Sequence, residues 1–235
     1  MGVGWNVMTS KYEKRREAVF KHLTEERHLD PSRYRFTYDD ETANFMLFNL
    51  SGKVVGYQQY RPAADKTLDN DPRHSRYFTY VSKFGGLQDA KEGDYKWYQK
   101  VWPLNLMFGR SYPWSPRRDR KFFDTAVWGL ETYNYRSDVL FVVEGVFDAV
   151  RLHNLSLPCV AALSNDVKNL QPWLNATSRH VVVVCDGNKA GRELAELGHE
   201  AVMLPEGKDL GDMTDAEVEQ VVKKWTWEWD GKSYE

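Results

Sequence analysis

Two short apolar runs, each ended by a carboxylate, constrain the fold of this chain more than any other feature. The first, VLFVVE, runs from Val139 to Glu144, and the second, VVVVCD, runs from Val181 to Asp186. Unbroken apolar runs of four to eight residues are typical of central strands in a parallel sheet covered on both faces. Because ligands of such sheets bind at the carboxyl ends of the strands, the two runs predict acidic side chains gathered at one edge.

Each segment also has an ordinary structural explanation. A glycine after a strand belongs to common turns, and an aspartate there often caps the next helix. Either segment alone therefore leaves the structural and the functional interpretation equally open. The two together, about forty residues apart with a predicted helix between them, favour a binding edge. Acidic side chains at such an edge predict a divalent cation, since hard cations take oxygen ligands.

From Val139 onward the chain alternates strands and helices. Strands are predicted over VLFVVE, CVAALS, VVVVCD and EAVMLP, and a capping box at Thr214–Glu217 predicts the start of a last helix. This order indicates a doubly wound α/β domain over residues 136–235, with a four-stranded, largely parallel sheet and helices on both faces. An amphipathic helix is predicted from its N-cap Ser10 to about Leu29. Together with three alternating strand-like segments after it, this helix predicts a smaller α+β domain over residues 1–135.

Charge divides unevenly between the two predicted domains. Residues 1–135 hold 22 Lys and Arg against 17 Asp and Glu, whereas residues 136–235 hold 10 against 17. A basic first part and an acidic second part fit a nucleic-acid groove that leads to a metal site. They fit equally well two domains that attract each other, so the charge alone leaves both interpretations open.

Cysteine usage and hydropathy narrow the class of protein further. The two cysteines, Cys159 and Cys185, lie in apolar strand-like segments, so we expect buried free thiols in a reducing compartment such as the cytoplasm. Two cysteines exclude a structural zinc site of the four-cysteine type. No run of about eighteen apolar residues occurs, and we therefore expect no membrane span and no membrane partner.

Acidic side chains recur at the strand ends of the predicted α/β domain: Glu144, Asp148, Asp186, Asp209 and Asp212. Glu144 ends a strand, and Asp148 stands one helical turn beyond it. Carboxylates with bound cations suit phosphoryl or nucleotidyl transfer, because cations neutralise the phosphate charge. Glu144 is alternatively a general base, since neighbouring carboxylates raise its pKa. The residues by themselves leave these roles open.

Three segments, EGVFDA, CDGNKAGRELA and LPEGKDLGD, resemble the toprim domain of DNA primases and topoisomerases. The shared pattern is a strand-end Glu-Gly with an Asp four residues after the Glu, then Asp-x-Asp and Ala-Gly. The Leu-Pro-x-Gly-Lys-Asp segment at Leu204–Asp209 is similar to primases rather than topoisomerases. The resemblance implies synthesis of RNA primers on single-stranded DNA from nucleoside triphosphates, with Mg²⁺ or Mn²⁺. It implies catalytic roles for Glu144, Asp148 and Asp186, and metal ligation by Glu144, Asp186 and Asn188.

The first part of the chain resembles primases more weakly. GKVVGYQQYRP is similar to a primase strand that leads to a functional arginine, and RYFTYVSK and PLNLMFGRS are similar to two segments that follow it. Together with the primase-like tail, the resemblance implies that six residues bind nucleotide or template: Arg61, Arg76, Tyr77, Arg110, Lys208 and Asp209.

Two departures from the primase pattern keep other functions open. Asn188 stands where the family has a second aspartate, which removes one negative charge from the predicted metal site. The chain also has no zinc-ribbon or helicase domain, so we expect a separate helicase or replication protein as partner and a phage or other mobile element as source. The alternatives are a toprim metal-dependent nuclease and a non-catalytic primase relative that binds single strands or a replication partner.

Overall fold

The computed structural model describes residues 3–49, 54–66, 72–81, 126–130, 133, 137–163 and 170–226. The chain forms two compact units. The first comprises Met1–Glu26 and Tyr34–Ala126, and the second comprises Arg27–Arg33 and Val127–Glu235. The two units are defined by contacts within the chain. The predicted domain boundary between residues 135 and 136 stays a prediction. Each unit is described by itself below.

The first unit is a helix followed by an antiparallel sheet. Its elements are α1 (Val3–Lys21), a π-helical turn (His22–Glu26), β1 (Phe36–Tyr38), β2 (Ala43–Phe48), β3 (Val54–Tyr60) and β4 (Tyr77–Val81). The strands lie in the order β1-β2-β3-β4, and every neighbouring pair is antiparallel. The strand-like segments predicted here are confirmed. The helix begins at Val3 rather than at the predicted cap Ser10, because an exposed serine is tolerated inside a helix.

Aromatic side chains fill the sheet of the first unit. Tyr57, Tyr60 and Tyr80 are buried, and the Tyr57 and Tyr80 rings stack with centroids 5.4 Å apart. Such pairs stabilise a sheet beyond their buried area. These tyrosines therefore serve the core and are not available as stacking platforms for bases.

The second unit is an α/β fold with a four-stranded parallel sheet. Its elements are β5 (Val139–Val143), α2 (Val146–Asn154), β6 (Cys159–Ala161), α3 (Gln171–Ala176), β7 (His180–Cys185), α4 (Lys189–Ala195), β8 (Glu200–Met203), a 3₁₀ turn (Leu210–Asp212) and α5 (Asp215–Thr226). The strand order is β6-β5-β7-β8, and all three pairings are parallel. This confirms the predicted parallel sheet, whereas helices on both faces stay a prediction.

Strands β5 and β7 lie in the middle of this sheet because their side chains are almost all apolar. Residues 140–143 and 181–185 are buried, and Cys159 and Cys185 are buried free thiols, as predicted. From β5 the chain passes to β6 on one side and then to β7 on the other side. The sheet therefore has a switch point between β5 and β7, where ligands of open α/β sheets bind.

The start of the helix predicted over residues 166–174 lies outside the described residues. The described helix is α3, which begins at Gln171 with a proline in its first turn. Proline is well placed there, because the first amides of a helix have no partner within it. Among the helices of the described residues, none is long and apolar enough to cross a membrane.

Candidate active site

Glu144 and Asp186 follow the two central strands at the switch point. The register of β5 and β7 pairs Val142 with Val183, and continuing it places Glu144 level with Cys185, one residue before Asp186. Burial, and then the negative charge of Asp186, raise the pKa of Glu144 to about 7. The predicted meeting of strand-end carboxylates at one sheet edge therefore holds for this pair.

One oxygen of Glu144 lacks a hydrogen-bond partner in the part of the chain that the structure describes. Its Oε1 is buried and accepts no hydrogen bond from the described residues. An unsatisfied buried oxygen is costly, and in native structures such an oxygen usually interacts with ordered water, an ion or a ligand. A hard cation beside the Asp186 carboxylate would supply the missing interaction.

The number of acidic ligands at this edge is small. In the part of the chain that the structure describes, no group of three or more His, Cys, Asp or Glu side chains is placed to hold a metal ion. Mg²⁺ is commonly bound by one or two carboxylates, with water and substrate phosphates completing its coordination. Glu144 and Asp186 fit that pattern, and they do not form a closed cage.

Asp148 joins the end of β5 to the loop after β8. Its Oδ2 accepts a hydrogen bond from the Gly145 amide, and its Oδ1 accepts one from the Gly211 amide, each at 3.0 Å. Burial, followed by the charge of Asp209, raises the pKa of Asp148 to about 7 although both hydrogen bonds oppose the shift. Because both oxygens serve the main chain, the geometry favours a positioning contact for Asp148.

Asp209 lies at the same edge of the sheet. Its Oδ1 accepts a hydrogen bond from the Asp212 amide at 2.9 Å and so caps the 3₁₀ turn. After burial, its negative charge contributes to the raised pKa of Asp148. The loop after β8 thus adds a carboxylate to the surroundings of Asp148.

Lys208 is held by the first turn of α5. Its Nζ lies 2.9 Å from Glu217 Oε1, and the Lys208 side chain is about half exposed. Glu217 Oε2 accepts from the Thr214 amide at 2.9 Å, while Thr214 Oγ1 accepts from the Glu217 amide at 3.3 Å. These bonds confirm the predicted capping box. The hydrogen bonds that the Glu217 carboxylate accepts from the Thr214 amide, the Lys208 ammonium group and the Thr214 hydroxyl lower the pKa of Glu217 to about 2.

Asn188 caps helix α4. Its Oδ1 accepts a hydrogen bond from the Gly191 amide at 2.8 Å, and its Nδ2 donates to Asp186 Oδ2 at 3.5 Å. The Asn188 side chain therefore lies beside the predicted metal ligand Asp186. Its carbonyl oxygen is engaged by the helix, so metal ligation by Asn188 stays a prediction.

Three predicted binding residues of the first unit lie together. The Arg61 amide donates to the Arg76 carbonyl at 2.8 Å, immediately beyond the Tyr60–Tyr77 pair of β3 and β4. Arg76 Nε donates to the Ala64 carbonyl at 2.9 Å, and Arg61 Nη1 donates to the Arg73 carbonyl. Arg61, Arg76 and Tyr77 are partly exposed, so they present two cations and one ring at one end of the sheet.

Three further arginines concern the candidate site, one of them predicted and two of them not. Arg110 lies outside the described residues. Two arginines near the loop after β8 were missed by the sequence reasoning, Arg27 and Arg151. Arg27 Nη1 donates to Asp212 Oδ1 at 2.9 Å, and Arg151 is a buried side chain of α2. For Arg151 the available signal was an arginine flanked by the apolar residues Val150 and Leu152 of a predicted helix.

No protein-family model and no curated protein sequence matches this chain. Among solved structures, the RNA polymerase domain of Mycobacterium tuberculosis primase DnaG is 16% identical with a TM-score of 0.48, over 78% of this chain and 55% of that one. The Aquifex aeolicus primase (zinc-binding and RNA polymerase domains) is 20% identical with a TM-score of 0.47, over 88% and 49%. The Escherichia coli primase catalytic core is 16% identical with a TM-score of 0.47, over 88% and 64%.

This chain therefore spans about half to just under two thirds of the length of the structures it matches. Each of them is described as a primase domain or catalytic core.

Proposed function

We propose that this protein is a primase-type nucleotidyltransferase. It joins nucleoside triphosphates into short RNA primers on a single-stranded DNA template and releases pyrophosphate. The observation that carries the proposal is the unpartnered buried oxygen of Glu144 beside Asp186, at the switch point of a parallel sheet. Such a site suits a divalent cation, and the toprim-like motifs around it suit nucleotidyl transfer.

Glu144 and Asp186 would hold Mg²⁺ or Mn²⁺. When bound there, the cation neutralises phosphate charge and orients the attacking hydroxyl group. Asn188 supports the site by donating to Asp186, and Asp148 supports it by binding the Gly211 amide. In this assignment Asp148 positions its neighbours, while Glu144 and Asp186 touch the ligand.

Cationic side chains would bind the two polyanionic reactants. Lys208 presents an exposed ammonium group next to Asp209 and is proposed to contact the triphosphate. Arg61, Arg76 and Tyr77 are proposed to contact the template strand, since arginines bind phosphates and the partly exposed Tyr77 ring is proposed to stack on a base. A separate helicase or replication protein as partner stays a prediction.

One observation favours a second candidate function. The oxygen of Asn188, which stands at the position of a family aspartate, is occupied by the cap of α4. A site with one carboxylate fewer binds cations more weakly. A non-catalytic relative that binds single strands or a replication partner is consistent with that arrangement.

A primer-synthesis assay separates these functions. Single-stranded DNA is incubated with labelled nucleoside triphosphates and Mg²⁺ or Mn²⁺, and alkali-sensitive short products are sought. We expect the parent protein to make them, Glu144→Gln to lose them, and Glu219→Gln, which removes an exposed carboxylate of α5, to keep them. A shortened template without new product would indicate the nuclease. Single-strand binding without either reaction would support the non-catalytic candidate.

A further inference from the structure

Helix α2 contains a buried arginine. The Arg151 side chain is 2% exposed, and its Nη2 donates to the Met213 carbonyl at 2.7 Å and pairs with Asp215 Oδ1 at 2.6 Å. Its Nε and Nη1 are buried without a hydrogen-bond partner among the described residues. A buried ion pair is often no more stable than apolar side chains of the same volume, so stability alone does not account for this residue.

Arg151 holds the same segment that Asp148 holds. The two residues are three positions apart on α2 and therefore lie on neighbouring parts of its surface. Asp148 accepts from the Gly211 amide, and Arg151 donates to the carbonyl of Met213, two residues later. One helix thus binds the segment through an acceptor and a donor, which fixes both its position and its register.

The bound segment follows two residues of the candidate site. Lys208 and Asp209 come immediately before the 3₁₀ turn Leu210–Asp212, and the turn leads directly into the residues that Arg151 contacts. A second arginine acts on the same turn, because Arg27 Nη1 lies 2.9 Å from Asp212 Oδ1. Helix α2 begins at Val146, directly after Glu144 and Gly145. Displacing the segment from α2 would therefore move Asp209 and Lys208 relative to Glu144.

We propose that Arg151 is a positioning residue of the candidate site, which holds the 208–215 segment against α2 and so sets the places of Lys208 and Asp209 beside Glu144 and Asp186. The inference rests on the proposed function in one respect, that the ligands are a divalent cation and a triphosphate. Arg151 itself touches neither. Residues that orient a metal site from outside it typically change metal affinity by about 10- to 100-fold when removed.

The test compares Arg151→Met and Arg151→Lys with an exposed control. Methionine keeps much of the length and removes the charge and the donors, whereas lysine keeps the charge. Lys223→Met removes an exposed cation of α5 and serves as the matched control. Two quantities are measured on the whole protein: hydrogen exchange of the amides from Gly211 to Asp215, and Mn²⁺ affinity by electron paramagnetic resonance.

In Arg151→Met we expect these amides to exchange about tenfold faster or more and the Kd for Mn²⁺ to rise about tenfold, while unfolding remains cooperative. Arg151→Lys should recover part of both effects, and Lys223→Met should match the parent. A folded Arg151→Met protein with parental exchange and parental Mn²⁺ affinity would overturn the proposal.

A second variant covers the case in which Arg151→Met does not fold. Asparagine keeps an oxygen that can accept from Arg151 Nη2, so Asp215→Asn disturbs the fold less than Arg151→Met does. It weakens the hold of Arg151 on the segment while leaving the Met213 bond. We expect smaller changes in the same directions, about threefold, and unchanged values would overturn the proposal.

The experiments distinguish a failure of the proposed function from a failure of the positioning role of Arg151. A parent protein that binds Mn²⁺ but makes no primers contradicts primer synthesis and leaves the Mn²⁺ comparison valid. A parent protein that binds no Mn²⁺ contradicts the metal site, and the exchange rates of residues 211–215 then decide the positioning role alone.

Discussion

Glu144 and Asp186 directly follow two neighbouring parallel strands, and the charge of Asp186 adds to burial in raising the pKa of Glu144 to about 7. Two carboxylates in this relationship repel each other when both are ionised. The repulsion is relieved by a proton or by a cation, which compete for the same oxygens. Stability and cation binding at this site are therefore linked to pH.

The first prediction concerns the free energy of unfolding. The pKa of Glu144 is about 7 in the folded protein and near its ordinary value of 4.5 when unfolded. Its proton therefore favours the folded state below about pH 4.5, and this contribution is lost as the pH rises through about 7. Because glutamine stays neutral, we expect Glu144→Gln to be more stable than the parent at about pH 8 and similar to it at about pH 4.5.

Urea unfolding at the two pH values measures this difference. Saturating Mg²⁺ should reduce the difference in unfolding free energy at the higher pH, because a cation that binds the folded parent stabilises the parent. Equal stability of parent and variant at both pH values would show that Glu144 is not held in a repulsive environment.

The second prediction concerns Asn188. Aspartate caps a helix as well as asparagine does, so Asn188→Asp should preserve α4 and add a negative charge beside Asp186. We expect a several-fold lower Kd for Mn²⁺ in titration calorimetry. Asn188→Ala is the comparison variant: it loses the cap and should cost about 1 kcal/mol of unfolding free energy. An unchanged Kd in Asn188→Asp would place the cation away from Asp186.

The location of this site was predictable because it depends on local patterns. The apolar runs before Glu144 and Asp186 indicate buried strands, and parallel strands bring their carboxyl ends to one edge. The capping box at Thr214–Glu217 was predictable for the same reason, since both partners lie within one helical turn.

The contacts that connect distant parts of the chain were not predictable. Asp148 accepts from the Gly211 amide 63 residues later, and nothing in either segment reveals that pairing. Arg151 was missed because arginine in a helix is usually exposed, and its burial depends on Met213 and Asp215. The helix start at Val3 was missed because serine is a common N-cap residue, whereas Ser10 lies inside the helix.

The third prediction tests how closely α4 approaches β7. A Cβ atom at Gly191 would lie 2.1 Å from the carbonyl oxygen of Asp186, far inside contact distance. Main-chain atoms must shift to admit it, so we expect Gly191→Ala to lower the unfolding free energy by about 2 kcal/mol and to weaken Mn²⁺ binding. Glu193→Ala, an exposed change on the same helix, is the control. Parental values for Gly191→Ala would mean that the end of β7 adapts without disturbing Asp186.

The fourth prediction tests the proposed template contacts of the first unit. Arg61 and Arg76 lie next to each other, and their guanidinium groups donate to main-chain carbonyls. Neutral carbonyls orient the charges without cancelling them, which suits contacts with phosphates. Each contact with a single strand contributes about 0.7 to the slope of log affinity against log salt concentration. We therefore expect Arg61→Ala and Arg76→Ala each to reduce that slope by about 0.7.

Fluorescence anisotropy of a labelled oligothymidine, from about 50 to about 200 mM salt, gives the slope. Arg15→Ala is the matched control, because Arg15 is an exposed arginine of α1 whose Nη1 lies 3.8 Å from Asp40 Oδ2. Its removal should leave the slope unchanged if binding is confined to the end of the sheet that carries Arg61. An equal loss in all three variants would instead indicate a diffuse response to net charge, and parental slopes for Arg61→Ala and Arg76→Ala would contradict their assignment to the template.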